Sequence, residues 1–223
     1  GVLSSGGDTP GMNAAIRAVV KVAAEYGIEV FGIRHGYRGL IEGDMRELTT
    51  DEVRNIAHKG GTILKTARCK EFMVEEGQRR ALLTAQAFDL EGIIAIGGDG
   101  TMHGAGALSK MGIPTITLPG TIDNDLAYTD FSIGFDTAVN GVLTELIKVR
   151  DTMVSHDRIG IVEVMGNKCG DIALHAGVAG SADFILLPEM EFDIDVICDQ
   201  LIKNNIRNRK TSMIVLAEGA GKG

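Results

Sequence analysis

Residues 92–110 read GIIAIGGDGTMHGAGALSK, and the order of their parts decides the fold. Gly92 to Ile96 is an apolar, β-branched run bounded by glycine and too short for a helix, so it reads as a buried strand. The turn GGDG follows, and Thr101 to Lys110 continues at helical period. Strand, glycine turn and helix in this order are the opening of a βαβ unit, whose crossover returns to a parallel strand. The next apolar run, Pro114 to Leu118, supplies that strand.

The same alternation extends in both directions. Toward the N-terminus, Gly1 to Ser5 is a short strand, and Asn13 to Tyr26 is a helix with Ala15, Ile16, Val19, Val20 and Ala23 on one stripe. Glu29 to Ile33 is a second strand. Thr49 to His58 reads as a short helix capped by Thr50, and Glu75 to Phe88 as another. Toward the C-terminus, a long helix over Phe135 to Val154 leads to strands at Ile159 to Met165, Phe184 to Leu187 and Met213 to Ala217. Helices starting at Asp171 and Asp193 separate them. The fold class is α/β, as two packed units of mostly parallel sheet. The boundary falls near Ile133 to Asp136, giving units over 1–134 and 135–223, the second incomplete.

Composition narrows the function. The 223 residues carry 22 Lys+Arg against 30 Asp+Glu, a formal charge of −8, with 44% hydrophobic residues. The cations are scattered, so the footprint of phosphate-backbone binding is missing and no nucleic-acid partner is expected. No apolar run approaches the ~18 residues of a membrane span, and no secretory signal opens the chain. Cys69, Cys169 and Cys198 lie far apart and form no C-x-x-C pair, which suits reduced thiols in the cytoplasm. Both ends read as cut. Glycine is enriched, at 30 of 223 against about 7% in average proteins, and it is clustered at turns.

In open parallel sheets, ligands gather outside the carboxyl ends of the strands, so the loops there carry the chemistry. The first, SSGGDTPGMN over 4–13, pairs glycines with a helix start, as a phosphate cradle does. A glycine-rich turn with no ligand is its alternative. The second, IGGDGTMHGAG over 96–106, flanks Asp99 with Gly97, Gly98 and Gly100, an arrangement suited to Mg²⁺ beside phosphate. Asp99 as a plain N-cap is the alternative. The third, PGTIDND over 119–125, gathers Thr121, Asp123, Asn124 and Asp125. Two carboxylates can divide proton transfer and metal binding; a solvated turn is the alternative. Arg68, Arg150 and Arg158 offer phosphate forks or remain surface residues. EVMGNKCGD over 163–171 and Glu218-Gly219 close two further strand ends. The histidines show no zinc spacing, and no nucleophile elbow is present. These parts together suit phosphoryl transfer from a nucleotide to a hydroxyl.

SGGDTPGMNAAIR, GGTILKTAR, IGGDGT, PGTIDND, IGFDTA and VEVMG, in this order, resemble the bacterial ATP-dependent 6-phosphofructokinases over essentially the whole chain. The resemblance implies transfer of the γ-phosphoryl of Mg-ATP to the 1-hydroxyl of fructose 6-phosphate, in glycolysis. It implies Asp123 as proton acceptor, with Thr121 and Arg68 at the reacting region and Asp99 and Asp125 serving Mg²⁺. Gly7, Arg68, Cys69, Gly98, Asp99, Gly100 and Thr101 would line the ATP site. Thr121, Ile122, Asp123, Met165, Gly166, Asn167 and Glu218 would hold the sugar phosphate, with Arg158 reaching a neighbouring subunit of a homotetramer. An effector site for ADP or phosphoenolpyruvate would draw on Arg17, Lys21, Arg150, Asp183, Arg207, Arg209 and Lys210.

Departures from the family pattern are few. Asp183 stands for the usual Glu, Thr50 for an Arg of some members, Asn167 for an Arg, and Met73 for a basic residue. Gly100 and Gly120 stand where pyrophosphate-dependent relatives resemble Asp and Lys, so ATP is the expected donor. The family also continues beyond Gly223. Pyrophosphate-dependent transfer and a nucleotide-binding fragment without turnover are the two competing readings.

Overall fold

The computed structural model describes residues 1–221; the last two residues of the second expected unit lie outside the described residues. Two compact units result: 1–121 with 126–134, and 122–125 with 135 onward. Ile122 to Asp125 thus fall with the second unit, where Ile122 packs against its core. Both units are α/β with mostly parallel sheets.

The first unit runs β1 (Val2–Ser4), α1 (Met12–Glu25), β2 (Phe31–Ile33), α2 (Tyr37–Glu42), β3 (Met45–Glu47), a 3₁₀ turn (Glu71–Met73), α3 (Glu75–Ala87), β4 (Ile93–Gly97), α4 (Asp99–Lys110) and β5 (Thr115–Pro119). The sheet order is β3-β2-β1-β4-β5, parallel except for the β2–β3 pair. The central strands β1 and β4 are buried on both faces, as parallel strands usually are. Leu3, Ile93 and Ala95 join one core with α2, α3 and α4, while Val2 and Ile96 join the other with α1. Because β1 leads to β2 on one side and β4 to β5 on the other, the order reverses between β1 and β4. That is where a ligand crevice is expected.

Two expectations fail in this unit. Thr49 to His58 is no helix: residues 50–55 form turns. Glu52 does reach back to the Thr49 N–H at 3.0 Å, as in a capping box. Yet Leu48, Val53 and Ile56 are all drawn into the core, and the segment bends to seat them instead of propagating. Thr50 therefore caps nothing. Local pattern does not announce α2 and β3, which are short and, in β3, polar.

The second unit runs α5 (Phe135–Ser155), β6 (Ile159–Val164), α6 (Asp171–Ala179), β7 (Phe184–Leu186), α7 (Ile194–Ile206) and β8 (Ser212–Ala217). Its parallel sheet has the order β6-β8-β7. Leu146 and Met153 of α5, Ile172, Ala173 and Ala176 of α6, and Met213, Val215 and Ala217 of β8 form its core. Asp193 caps α7 by accepting from Asp195 N at 2.8 Å.

Candidate functional site

In the first unit, the loop after β1 and the start of α4 flank the point where strand order reverses. Gly6 (φ 88°) and Gly11 (φ 90°) adopt left-handed backbone, which glycine alone accepts without strain. Asn13 ties this loop to the segment before Arg68. Its Oδ1 accepts from Ile63 N at 2.8 Å, and its Nδ2 donates to the carbonyls of Lys59 and Gly60 at 3.0 and 3.2 Å. Ser4 Oγ and Thr62 Oγ1 lie 2.7 Å apart, and Thr66 Oγ1 donates to Gly6 O at 2.7 Å. The Arg68 loop is therefore built onto the cradle. Arg68 is exposed, while Cys69 is partly buried against the core.

At α4 the N-cap is Gly98, not Asp99, which is the first helical residue. Thr101 N folds back onto Gly98 O at 3.0 Å, so the N–H groups of Asp99 and Gly100 lack helical acceptors and present positive potential. Thr101 is buried, its Oγ1 donating to Ser5 O at 3.0 Å and its carbonyl accepting from the Tyr37 hydroxyl at 2.6 Å. Tyr37, which the sequence reading missed, thus braces the cradle helix and is itself stacked on Phe72, centroids 4.1 Å apart. Gly7 is exposed, and neither it nor Gly100 has anything within 4 Å of where a β-carbon would lie. Gly120 differs, since a β-carbon there would meet Ile96 Cγ2 at 3.0 Å. Asp99 Oδ1 lies 3.3 Å from His103 Nδ1. Past the cradle along α4, Gln78, Met102, His103, Gly106, Ala107, Lys110 and Met111 line an open hollow of about 560 Å³. Met102, His103 and Gly106 belong to the glycine loop legible in the sequence, while Gln78, Ala107, Lys110 and Met111 carry no signal there. Thr121, buried, closes the first unit's share of PGTIDND.

The second unit brings Asp123, Asp125 and Glu218 into electrostatic range. Asp123 is half-buried. Loss of hydration pushes its carboxyl above the ordinary range, and the charges of Asp125 and then Glu218 push the same way. Glu218 Oε1 accepts from Gly166 N at 3.0 Å and Asn167 N at 2.7 Å. Gly166 (φ 144°) has no room for a β-carbon beside the Cys169 carbonyl, and Asn167 (φ 56°) is also left-handed. Met165 is exposed, as is Arg158 just before β6. Asn124 donates to Asp171 at 2.8 Å, and Glu189 accepts from Gly170 N at 2.7 Å. Burial pushes the Cys169 thiol up, against an opposing backbone hydrogen bond from Asp171 and with the charges of Asp171, Glu189 and Asp125 adding to the rise.

Of the expected effector residues, Arg17 and Lys21 lie on α1 of the first unit, and the buried Arg17 Nε has no hydrogen-bond partner among the described residues. The rest belong to the second unit. Arg150 donates to the carbonyls of Gly180 and Ser181, and Asp183 accepts from Met213 N at 2.8 Å. Lys210 pairs with Asp157 at 3.3 Å, while Arg207 and Arg209 end α7 exposed. Arg150 and Asp183 are thus committed to internal bonds.

The raised Asp123 carboxyl has a consequence for stability. An acid whose folded pKa lies above its unfolded one favours folding when protonated, and that advantage is lost as pH rises through the folded value. Asp123→Asn removes the penalty, so its melting temperature should exceed the parent's at about pH 7 and converge with it at about pH 4. Thermal unfolding at the two pH values checks this. An equal difference at both would mean that ionisation of Asp123 is not its source.

The family described as Phosphofructokinase matches residues 1–223. The chain is 54% identical over 220 residues to an ATP-dependent 6-phosphofructokinase of Clostridium botulinum, covering 99% of this chain and 69% of that one. A Pichia pastoris phosphofructokinase structure superposes with TM-score 0.91 at 35% identity, covering 98% of this chain and 27% of the other. A pyrophosphate-dependent phosphofructokinase of Marinobacter aquaeolei superposes with TM-score 0.86 at 25% identity, covering 98% and 60%.

Proposed function

Because the chain belongs to the phosphofructokinase family, we propose that it transfers the γ-phosphoryl group of Mg-ATP to the 1-hydroxyl of fructose 6-phosphate, the ATP-dependent 6-phosphofructokinase reaction of glycolysis. The observation that carries the ATP reading is the open space over Gly100 at the head of α4, with the hollow of about 560 Å³ further along that helix. An aspartate at position 100 would project into the space a nucleotide needs.

The donor side rests on the first unit. Gly7, Gly98, Gly100 and Thr101 form the cradle, whose orphan N–H groups suit phosphate oxygens, with Arg68 and Cys69 alongside. The acceptor side rests on Thr121 and on the second unit. There Asp123 takes the hydroxyl proton as the oxygen attacks, and its raised pKa makes it a better base than a solvated aspartate. Ile122, Met165, Gly166, Asn167, Glu218 and Arg158 hold the sugar phosphate. Asp99 and Asp125 are the candidates to hold Mg²⁺. Among the described residues no group of three or more His, Cys, Asp or Glu gathers for a metal, and Mg²⁺ commonly takes only one or two carboxylates plus substrate phosphates. Their hard oxygens fit it. The ion, when bound, neutralises charge on the transferring phosphoryl group.

The reading extends to a homotetramer in the cytoplasm, with the exposed Arg158 serving a neighbouring subunit and Cys69, Cys169 and Cys198 as free thiols. ADP or phosphoenolpyruvate are the candidate effectors. To contact them, Arg150 and Asp183 would have to leave their internal partners. Phosphorus NMR of the protein with Mg²⁺, fructose 6-phosphate and either ATP or pyrophosphate tests the reading. Fructose 1,6-bisphosphate with ATP alone is expected, and product with pyrophosphate alone would reverse the donor assignment.

A further inference from the structure

Asp123 lies between two fixed points. On one side Ile122 packs into the core of the second unit. On the other, Asn124 holds a left-handed backbone (φ 55°) and donates from Nδ2 to Asp171 Oδ2 at 2.8 Å. Asp171 is the first residue of α6, whose Ile172, Ala173, Ala176 and Gly177 are buried, so its position is set by the core. Asp123 lies between these two points, so the Asn124–Asp171 bond fixes the chain on its C-terminal side as the packing of Ile122 fixes it on the other.

We infer that Asn124 and Asp171 form a latch that keeps Asp123 in position, so that both are positioning residues for the proton acceptor. The inference rests on the function proposed above. Asp171 acts through a hydrogen bond to a neutral amide, so its acceptor oxygen matters more than its charge. Asparagine at 171 retains such an oxygen, and alanine does not. Glycine at 124 keeps the left-handed backbone available and removes only the side chain.

The test is a double-mutant cycle in the protein that carries this chain, read by turnover and by amide exchange of segment 122–125. Asn124→Gly and Asp171→Ala should each lower kcat by about 10–100-fold, the scale of a misplaced reacting group, with KM for ATP unchanged. Their combination should fall no further than either alone. Asp171→Asn should stay within about threefold of the parent, since the bond survives. Exchange at 122–125 should quicken equally in Asn124→Gly and Asp171→Ala, and not in Asp171→Asn. Multiplying effects in the double variant, a parental Asn124→Gly, or an Asp171→Asn as impaired as Asp171→Ala would overturn the latch. A parent without phosphoryl transfer would overturn the proposed function instead, and amide exchange would still decide the latch.

Discussion

Asp123→Ser should lower kcat by about 10²–10⁴, the usual contribution of a positioned general base, while leaving ATP affinity unchanged. The two halves of this expectation have separate origins. Serine has no group basic enough to take the proton of the sugar hydroxyl at neutral pH, so the step must proceed without a base. The nucleotide cradle is built from Gly6, Gly98 and Thr101 of the first unit, tied by the Thr66–Gly6, Thr101–Ser5 and Thr101–Gly98 bonds, whereas Asp123 belongs to the second unit. The parent's rate should also fall on the acid side at a pH above the ordinary aspartate range, because burial, Asp125 and Glu218 all raise the Asp123 carboxyl. In the serine variant that acid limb should vanish. Steady-state rates across pH, with calorimetric titration of ATP, measure both. Turnover within about twofold of the parent would remove Asp123 from the proton-transfer role.

The division between what the sequence discloses and what it hides follows contact distance along the chain. The alternation of β-branched runs with helical stripes is local, and it led to the parallel α/β units and to nearly every helix. The Asp193 cap is local too, since its partner Asp195 is two residues away. Thr49 to His58 misled for the opposite reason. Its local pattern favours a helix, but burial of Val53 and Ile56 overrides it. The glycine loops were legible because each follows an apolar strand directly. Their braces were not. Tyr37 reaches Thr101 across 64 residues, and Asn124 reaches Asp171 across 47. Nothing in the spacing of either pair marks them as partners. Asp99 shows a middle case: its loop is legible, but the N-cap is Gly98 because the helix begins one residue earlier than a capping role for Asp99 requires.

Gly97→Ala should destabilise the protein by about 2–4 kcal/mol and weaken ATP binding, although a single methyl is added. Gly97 ends β4 and pairs with Pro119 of β5, and its carbonyl accepts from Gly120 N at 2.9 Å. A β-carbon there would lie 2.6 Å from the Ser5 carbonyl oxygen, 2.8 Å from Thr101 Cβ, and closer still to Thr101 Oγ1. The Thr101–Ser5 hydrogen bond joins the first cradle loop to α4 at 3.0 Å, and the methyl would wedge it open. Both obstacles are hard to move, one being backbone and the other a buried side chain at a helix start. The melting temperature should fall by roughly 5–15 °C for a chain of this size. Gly100→Ala is the control. No atom lies within 4 Å of its added carbon, and alanine favours a helical position over glycine by about 1 kcal/mol, so its melting temperature should hold or rise. Only its ATP affinity should drop, because the methyl takes room meant for the nucleotide. An unchanged melting temperature in Gly97→Ala would mean that β4 and α4 can separate without cost, and the cradle could not then be the rigid anion site on which the donor assignment depends.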